Sequence, residues 1–345
     1  MSMIRTICTS LLLGLSFLAL GQYAQLQLGD TIKVTYPFHL PILGEETWEK
    51  GFDLPRPVGI MLNYFMASQD IAIPEISLGF SDGGLPDIPM TDISNIVEFG
   101  EVHTVAHYIT VRPDVWILPF LNLYGIFGKA YSHTQVRLDA PIQMEANAHL
   151  EGNSYGFGTT CAFGLGKYFV VLDGNWVWTS MSNFREPVRS AVFSQRIGRA
   201  FPIGKNPESN ISVWAGGMRL SMRSLTEGSV LAGDIFPDNF WNHKDEIIHS
   251  YSDWYDALNP NNPLDVAKIS VVENNGIDNM VNWLENQVVG SGKINYHMAR
   301  EPAREWNIIL GGQYQLNKNW QFRVEGGIIG NRKSLLLSTN YRFGI

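Results

Sequence analysis

The stretch that decides the fold is "WNIILGGQYQLNKNWQFRVEGGIIGNRKSLLLSTNYRFGI", from Trp306 to Ile345, because it alternates between apolar and polar residues. In its middle segment one face carries Trp320, Phe322, Val324, Gly326 and Ile328, and the opposite face carries Gln321, Arg323, Glu325 and Gly327. Successive side chains of a strand point to opposite faces, so the pattern predicts three strands with one wet and one dry face. A soluble two-layer protein would turn the dry face inward, and a membrane barrel would turn it toward lipid. The alternation alone does not choose between them.

Composition excludes several classes of protein. Hydrophobic residues make up 45% of the 345 residues, and the mean hydropathy of -0.05 is too low for a helical membrane protein. The 33 glycines and the aromatic content of 12% fit a barrel, which uses aromatic girdles and closely packed strands. The net charge of -8 and the absence of long Lys/Arg runs argue against nucleic acid as a partner.

The N-terminus has the features of an export signal. Arg5 precedes the apolar run "LLLGLSFLAL", and Ala19 and Gly21 are small residues at the positions that a signal peptidase reads. We therefore expect residues 1–21 to be a signal peptide, with cleavage after Gly21 or, as the second choice, after Ala24. Its removal would leave Cys161 as the one remaining cysteine, which excludes an intramolecular disulfide.

Strand-like segments recur along the rest of the chain. Eight precede the C-terminal three, at 58–66, 75–80, 97–112, 115–131, 154–165, 168–180, 188–199 and 211–223. Most are long enough for a tilted strand to cross a bilayer. A further strand at 27–38 would bring the total to about twelve, an even number as in bacterial barrels. The predicted fold class is all-β: a transmembrane antiparallel β-barrel of about 12 strands with a helical insertion in one extracellular loop.

Loop lengths predict which face is turned inward. With the C-terminus placed in the periplasm, the connections "LNKN", "FPIGKNPESN", "GLGK" and "RPD" fall on the periplasmic side and are mostly short. The segments 82–95, 139–152 and 224–303 fall outside and are long, which is typical of membrane barrels. We therefore expect the apolar faces to meet lipid. The polar residues that we expect in the lumen are Arg219, Gln321, Arg323, Glu325, Asn340 and Arg342.

The C-terminal "NYRFGI" places Tyr341 and Phe343 on alternate positions, although Gly344 and Ile345 follow the aromatic residue with which such chains usually end. With "LPFLNLYGIFGKAY", "VVLDGNWVWTSMS" and "WNIILGGQYQLNKNWQFRVEGG", it resembles poorly characterised Gram-negative outer-membrane β-barrel proteins of the porin or transporter kind. The resemblance implies location in the cell outer membrane, contact with outer-membrane lipid, and recognition by the barrel-assembly machinery through the C-terminal strand. It brings no catalytic residue and no cofactor.

The mature chain, 22–345, divides into a barrel and two further parts. The N-terminal segment, 22–57, is expected to be a first strand or a plug. The insertion 224–303 contains helical spacing at 244–258 and 263–289, with an apolar stripe formed by Ile277, Met280, Val281, Leu284 and Val288. We expect it to form a helical cap over the external mouth, or a plug folded into it.

Candidate catalytic chemistry is sparse. His103 and His107 are about 13 Å apart along a strand, too far for a shared metal, and we interpret them as polar residues of the lumen or girdle. A lipid-modifying enzyme would need a Ser or Thr beside a His at the barrel surface. The nearest pair, Ser132 and His133, is adjacent in sequence and points to opposite faces. We therefore expect no enzyme, no metal site and no cofactor.

Three functions remain, of which a membrane lipid-modifying enzyme is disfavoured because no nucleophile and histidine pair is found. The leading one is a narrow or plugged pore or transporter for a small hydrophobic or polar solute. The alternative is a structural or surface-interaction barrel with a filled lumen, whose helical cap binds a partner. The predicted strand 115–131 is apolar on both faces, so it either packs against the N-terminal segment or lines an apolar channel.

Overall fold

The computed structural model describes residues 36–82, 84–141, 143–182, 186–204, 208–235, 244–275, 277–286, 292–328 and 332–345. The expected signal peptide, 1–21, lies outside the described residues, and so does most of the strand predicted at 27–38.

The described residues form twelve strands and five helices. The strands are β1 (Val58–Ser81), β2 (Ile88–Asp92), β3 (Glu98–Leu118), β4 (Leu121–Ala140), β5 (Met144–Leu165), β6 (Tyr168–Met181), β7 (Val188–Pro202), β8 (Asn210–Leu231), β9 (Lys293–Pro302), β10 (Trp306–Gln315), β11 (Trp320–Gly327) and β12 (Lys333–Phe343). The helices are α1 (Gly44–Glu49), α2 (Ala232–Ile235), α3 (Lys244–Asp256), α4 (Pro263–Asn275) and α5 (Ile277–Glu285).

Ten strands form a closed antiparallel barrel. Their order is β1-β3-β4-β5-β6-β7-β8-β10-β11-β12, and β12 pairs back onto β1. The predicted all-β antiparallel barrel is therefore confirmed, but a count of twelve in the ring is not. One reason is that the strands predicted at 58–66 and 75–80 are a single strand of 24 residues, β1.

Strand β9 lies outside the ten-stranded ring and bridges two of its members. It pairs with residues 71–81 of β1 on one side and with residues 224–231 of β8 on the other. The N-terminal halves of the same two strands pair instead with ring strands: residues 58–68 of β1 pair with β12, and residues 210–219 of β8 pair with β10. The ends of the segment 224–303, assigned above to the insertion, therefore belong to β8 and β9, and the helices occupy its middle.

Two connections predicted from composition are wrong. The "RPD" segment lies inside β3, and the chain turns at Pro119 and Phe120 instead. Pro113 is tolerated because the β3–β4 pairing is interrupted between Val111 and Asp114, so its missing N–H leaves no ladder bond unmade there. The segment 139–152 is mostly the first part of β5, because its polar residues sit on a strand rather than in a loop.

The two faces of the barrel wall are inverted relative to a soluble protein. Outward-pointing Leu62 and Phe127 are 53% and 56% exposed, whereas inward-pointing Asn63 and Arg342 are 3% and 4% exposed. Similar apolar side chains cover the outside of most strands, among them Ile109, Phe157, Ile197, Val213, Leu310 and Phe322. We call this outer surface the apolar belt. A closed sheet with an apolar outer face and a polar inner face is suited to a lipid environment. The apolar faces of the strands are therefore turned outward, toward lipid, rather than into a protein core.

The N-terminal segment packs at the end of the barrel that carries the chain's C-terminus, which we call the turn end. Lys318, in the turn between β10 and β11, pairs with Asp53 at 3.1 Å and lies 5.4 Å from the ring centre of Trp48 on α1. Pro55 lines the barrel interior. The described part of the segment, from residue 36 onward, contributes no barrel strand.

Helices α2–α5 lie at the opposite end, the cap end, and pack against the strands. Trp283 of α5 contacts Phe80 of β1 with ring centroids 4.8 Å apart. Tyr251 of α3 donates a hydrogen bond to Asp278 of α5 at 2.8 Å, and burial raises the pKa of Tyr251. The core between helices and strands also includes Ile76, Ile93, Ile96, Ala232, Val272, Ile277, Met280, Leu284 and Ile294. Among the described residues, every helix is too short or too polar to cross a bilayer.

Candidate functional site: the barrel interior

The barrel encloses a cavity of about 900 Å³. Toward the cap end its lining is mainly aliphatic and aromatic, and we call this part the chamber; its walls include Phe65, Ile71, Val102, Val136, Leu150 and Met298. Toward the turn end the lining becomes polar and charged. The change follows from the sequence, because on strands such as β3 the inward positions switch from apolar residues (Val102) to charged ones (Arg112 and Asp114) along the strand.

The polar part is organised around Arg196 of β7. Its Nε and Nη2 donate to Glu325 of β11 at 2.6 and 3.0 Å, and its Nη1 donates to Asp173 of β6. Glu325 also accepts from the indole of Trp214 at 2.7 Å, and Asp173 accepts from the Thr160 hydroxyl at 2.5 Å. Because β8 and β10 lie between β7 and β11 in the ring, the Arg196–Glu325 pair crosses the inner face of these two strands rather than joining adjacent strands.

Arg112 and Arg323 extend this network. Arg112 donates to Asn175 at 3.1 Å and lies 3.9 Å from the ring centre of Tyr124. Arg323 donates to Gln313 at 2.9 Å. Both guanidinium groups are close enough to Asp173 to interact with it electrostatically. We call Arg112, Asp173, Arg196, Arg323 and Glu325 the charged layer; it holds three positive and two negative side chains.

A second ion pair lies beside the charged layer. Arg342 of β12 pairs with Asp114 of β3 at 2.9 Å, and Asp114 also accepts from Asn122 at 2.7 Å. The Nε of Arg342 donates to the backbone carbonyl of Arg56, at the end of the N-terminal segment. Two strands on either side of β1 are thereby tied together at the turn end.

The chamber also contains a buried cation. Arg332 is 3% exposed and donates through Nη2 to the backbone carbonyl of Met218 at 3.3 Å. Its Nε and Nη1 are buried and meet no acceptor among the described residues. Both atoms are enclosed by protein and have almost no surface open to the chamber.

The residues expected in the lumen from the sequence separate into two groups. Gln321, Arg323, Glu325, Asn340 and Arg342 all line the cavity. Arg219 does not: it is exposed on the outer surface and donates to Glu305 at 2.8 Å. Met218 and Leu220 are the inward neighbours of Arg219, so its position follows the alternation of β8 and corrects the expectation.

Three of the five residues of the charged layer, Arg112, Asp173 and Arg196, were not predicted from the sequence. Asp173 and Arg196 lie in strands that were predicted, at 168–180 and 188–199, and their inward orientation was available from alternation with the apolar belt. Their pairing with Glu325 was not, because residues 196 and 325 are 129 positions apart.

The histidines expected in the lumen or girdle lie on the outer face. His107 accepts or donates a hydrogen bond with Tyr64 at 2.8 Å, and His103 contacts Ser68 and Asp70 at 2.9 Å each. Among the described residues, Asp70, Glu101 and His103 form one group whose ligand atoms lie within 4.8 Å of one another. His133 faces outward and Ser132 lines the cavity, so that sequence pair is divided by the wall as expected.

A closed antiparallel barrel with an apolar belt and a polar interior belongs to the class of outer-membrane β-barrel proteins. No protein-family model matches the chain, and no curated protein matches it. Among solved structures, the chain is similar to the β domain of the Bordetella autotransporter BrkA, with 10% identity, a TM-score of 0.37, and coverage of 83% of this chain and 100% of that chain. It is similar to the outer-membrane protein OprG from Pseudomonas aeruginosa, with 8% identity, a TM-score of 0.38, and coverage of 85% and 98%. It is also similar to the P. putida toluene transporter TodX, with 7% identity, a TM-score of 0.24, and coverage of 84% and 91%.

Proposed function

We propose that this outer-membrane barrel is a channel for small apolar solutes, with a resting state closed by the cap at one end and by the charged layer at the other. The observation that carries the proposal is the cavity inside the barrel, which extends from the chamber to the charged layer. A barrel with a purely structural interior would fill it with side chains, whereas this one keeps about 900 Å³ open behind a mainly apolar wall. That volume lies within the usual range of small-molecule sites.

The chemistry of the wall selects the solute. Apolar side chains remove apolar solute surface from water, which favours entry by roughly 25 cal/mol for each Å² buried. The charged layer disfavours passage of an apolar solute, because its side chains, including the Arg196–Glu325 pair, project into the lumen and are charged.

The direction of transport follows from the two ends. The turn end carries short connections, which in outer-membrane barrels lie in the periplasm, so the cap end faces the outside. A solute would therefore meet the cap first, then the chamber, and finally the charged layer.

The proposal is tested by photolabelling with phenyl(trifluoromethyl)diazirine, a small apolar carbene precursor, on the protein in lipid nanodiscs. We expect labelled peptides from both the apolar belt and inward positions such as Phe65 and Val136. Ala106→Trp places an indole inside the chamber and should abolish the inward labels, while the belt labels persist. Val105→Trp adds the same indole on the opposite face of β3 and should leave the inward labels unchanged. Inward labels that are absent from the wild type, or unchanged in Ala106→Trp, would overturn the proposal.

A further inference from the structure

The outer face of the barrel holds a serine, a histidine and a carboxylate in the relative positions of a hydrolytic triad. The Oγ of Ser68 lies 2.9 Å from His103 Nε2, and the Oδ1 of Asp70 lies 2.9 Å from His103 Nδ1. One ring nitrogen therefore faces the hydroxyl and the other faces the carboxylate. This is the division of roles in serine hydrolases, where the carboxylate holds the N–H tautomer and leaves the other nitrogen free to accept a proton.

Strand pairing brings the three residues together. Asp70 of β1 is directly opposite His103 of β3, and Ser68 is two positions back on β1, so all three point to the same face. Gln69 and Thr104, their neighbours in sequence, line the cavity instead. The triad therefore belongs to the outer surface and is separated from the chamber by the barrel wall.

The surroundings of the triad place it at the border of the apolar belt. Along the outer face of β1, apolar Ile60 and Leu62 are followed by Tyr64 and Met66, and then by Ser68 and Asp70. The polar residues begin where the belt ends, at its cap-end edge. In a bilayer this is the level at which acyl chains give way to ester groups and headgroups.

The side chains of the triad are accessible from outside. His103 and Asp70 are 29% and 30% exposed, and Ser68 is partly exposed. Lys333 of β12 is directly opposite Ser68 on the same face and is exposed. Lys333 therefore adds a positive charge to the face that carries Ser68, which favours an ester oxyanion or a lipid phosphate there.

We propose that Ser68, His103 and Asp70 form a second active site, which hydrolyses acyl esters of lipids in the membrane leaflet at the cap end. Ser68 Oγ attacks the ester carbonyl carbon while His103 Nε2 takes the hydroxyl proton. The bond from that carbon to the alcohol oxygen breaks, and the oxygen leaves with the proton from His103. Water then attacks the acyl-serine, gives one proton through His103 to Ser68, and releases the fatty acid. The net reaction is ester plus water to carboxylic acid plus alcohol.

Asp70 acts through His103 and is a positioning residue. Tyr64 and His107 are also hydrogen-bonded on the outer face, at 2.8 Å, but within the described part of the chain no carboxylate forms an ion pair with His107. His107→Gln is therefore a matched control for His103→Gln, on the same strand and the same face.

The test uses the full chain refolded in detergent and in proteoliposomes. The two probes are a long-chain alkyl fluorophosphonate, which reacts covalently with activated serines, and dilauroylphosphatidylethanolamine, whose released fatty acid is measured by mass spectrometry. We expect wild-type labelling at Ser68 and none in Ser68→Ala. His103→Gln should lower both rates at least about a thousandfold, and His107→Gln should leave them within about twofold. Asp70→Asn should lower the rate and change its pH profile, with partial rescue by Asp70→Glu.

A second set of measurements distinguishes ester hydrolysis from metal-ion binding. It is needed because the possible ligand atoms of Asp70, Glu101 and His103 lie close together. Labelling and fatty-acid release that persist in EDTA and in Glu101→Gln would support the hydrolase. Calcium or zinc binding that depends on Asp70 and His103, with no labelling of Ser68 and no acid release, would overturn it. Heat-modifiable migration in gels verifies that each variant is folded. The Ala106→Trp chamber variant should retain full labelling, so failure of the channel and failure of the hydrolase are distinguishable.

Discussion

Replacing Glu325 by Gln tests whether the charged layer closes the channel. The substitution keeps the size of the side chain and removes one negative charge from the lumen. Glu325 accepts two hydrogen bonds from Arg196, at 2.6 and 3.0 Å, and one from Trp214, at 2.7 Å. The side chains of Glu325 and Arg196 are 6% and 10% exposed, so solvent screens their interaction little.

The expected cost follows from these contacts. Removing one partner of a buried ion pair costs about 3–5 kcal/mol, because the other charge is left uncompensated. Asp173 still pairs with Arg196, and the Gln carbonyl still accepts from Trp214, so we expect the lower end, about 3 kcal/mol. That corresponds to roughly two decades in the unfolding equilibrium. The charged layer changes from three positive and two negative groups to three and one, which should push its arginines apart.

Two measurements check the effect. Urea unfolding in lipid vesicles, followed by tryptophan fluorescence, should show the loss of stability. Planar-bilayer recordings should show larger and longer current steps with a stronger preference for anions, because net positive charge lines a wider lumen. Glu305→Gln is the matched control: it makes the same change in the exposed pair with Arg219 and should cost no more than about 1 kcal/mol. If Glu325→Gln and the wild type had equal stability and equal conductance, the idea that the charged layer closes the channel would be refuted.

Two other changes, one deletion of a segment and one point substitution, test the architecture. Residues 232–292 join the directly opposed ends of β8 and β9, so an Asn-Gly turn can replace them. We expect this deletion variant to fold as a barrel and to expose position 80, which the cap buries. Phe80→Cys should then react with a membrane-impermeant maleimide in the deletion variant but not in the full-length protein. A Cβ added at Gly128 would overlap the backbone carbonyl oxygen of Ile109, so Gly128→Ala should lower the urea midpoint by the equivalent of about 1–3 kcal/mol, whereas Gly326→Ala, with its nearest neighbour at 3.9 Å, should not.

Alternation in the sequence was sufficient to predict the faces of the C-terminal strands. Phe322 and Arg323 fall on opposite sides of β11 as predicted, because a strand fixes side-chain direction by parity alone. Turn positions were less predictable. Pro113 suggested a turn, but a local break in the β3–β4 pairing accommodates it within a strand.

Closure of the ring depends on contacts that no local pattern contains. The sequence pattern places β9 within a long insertion, but in the structure β9 pairs with the cap-end parts of both β1 and β8. Residues 293–299 of β9 are paired on both sides only because two distant strands extend beyond the ten-stranded ring. A local reading therefore places it with the helices that precede it, and a 24-residue strand such as β1 is read as two.

The candidate sites also depend on contacts between residues that are far apart in the sequence. Ser132 and His133 are adjacent in the sequence but point to opposite faces. The pair that meets in space, Ser68 and His103, is 35 residues apart and is joined by the β1–β3 register. Detecting it from the sequence would require the register of two long strands, which is set by the hydrophobic pattern and the turns together.

The chamber and the triad use opposite faces of the same two strands, and this makes their functions separable. On β3, Thr104 and Ala106 face the chamber while His103 and Val105 face outward. A substitution that changes only a side chain therefore acts on one side of a wall that is a single sheet thick. A variant that impairs both lumen labelling and ester hydrolysis must have moved the shared backbone, and its effect belongs to the fold. Ala106→Trp and His103→Gln should each impair one activity and spare the other, and that reciprocal pattern assigns each activity to its own face.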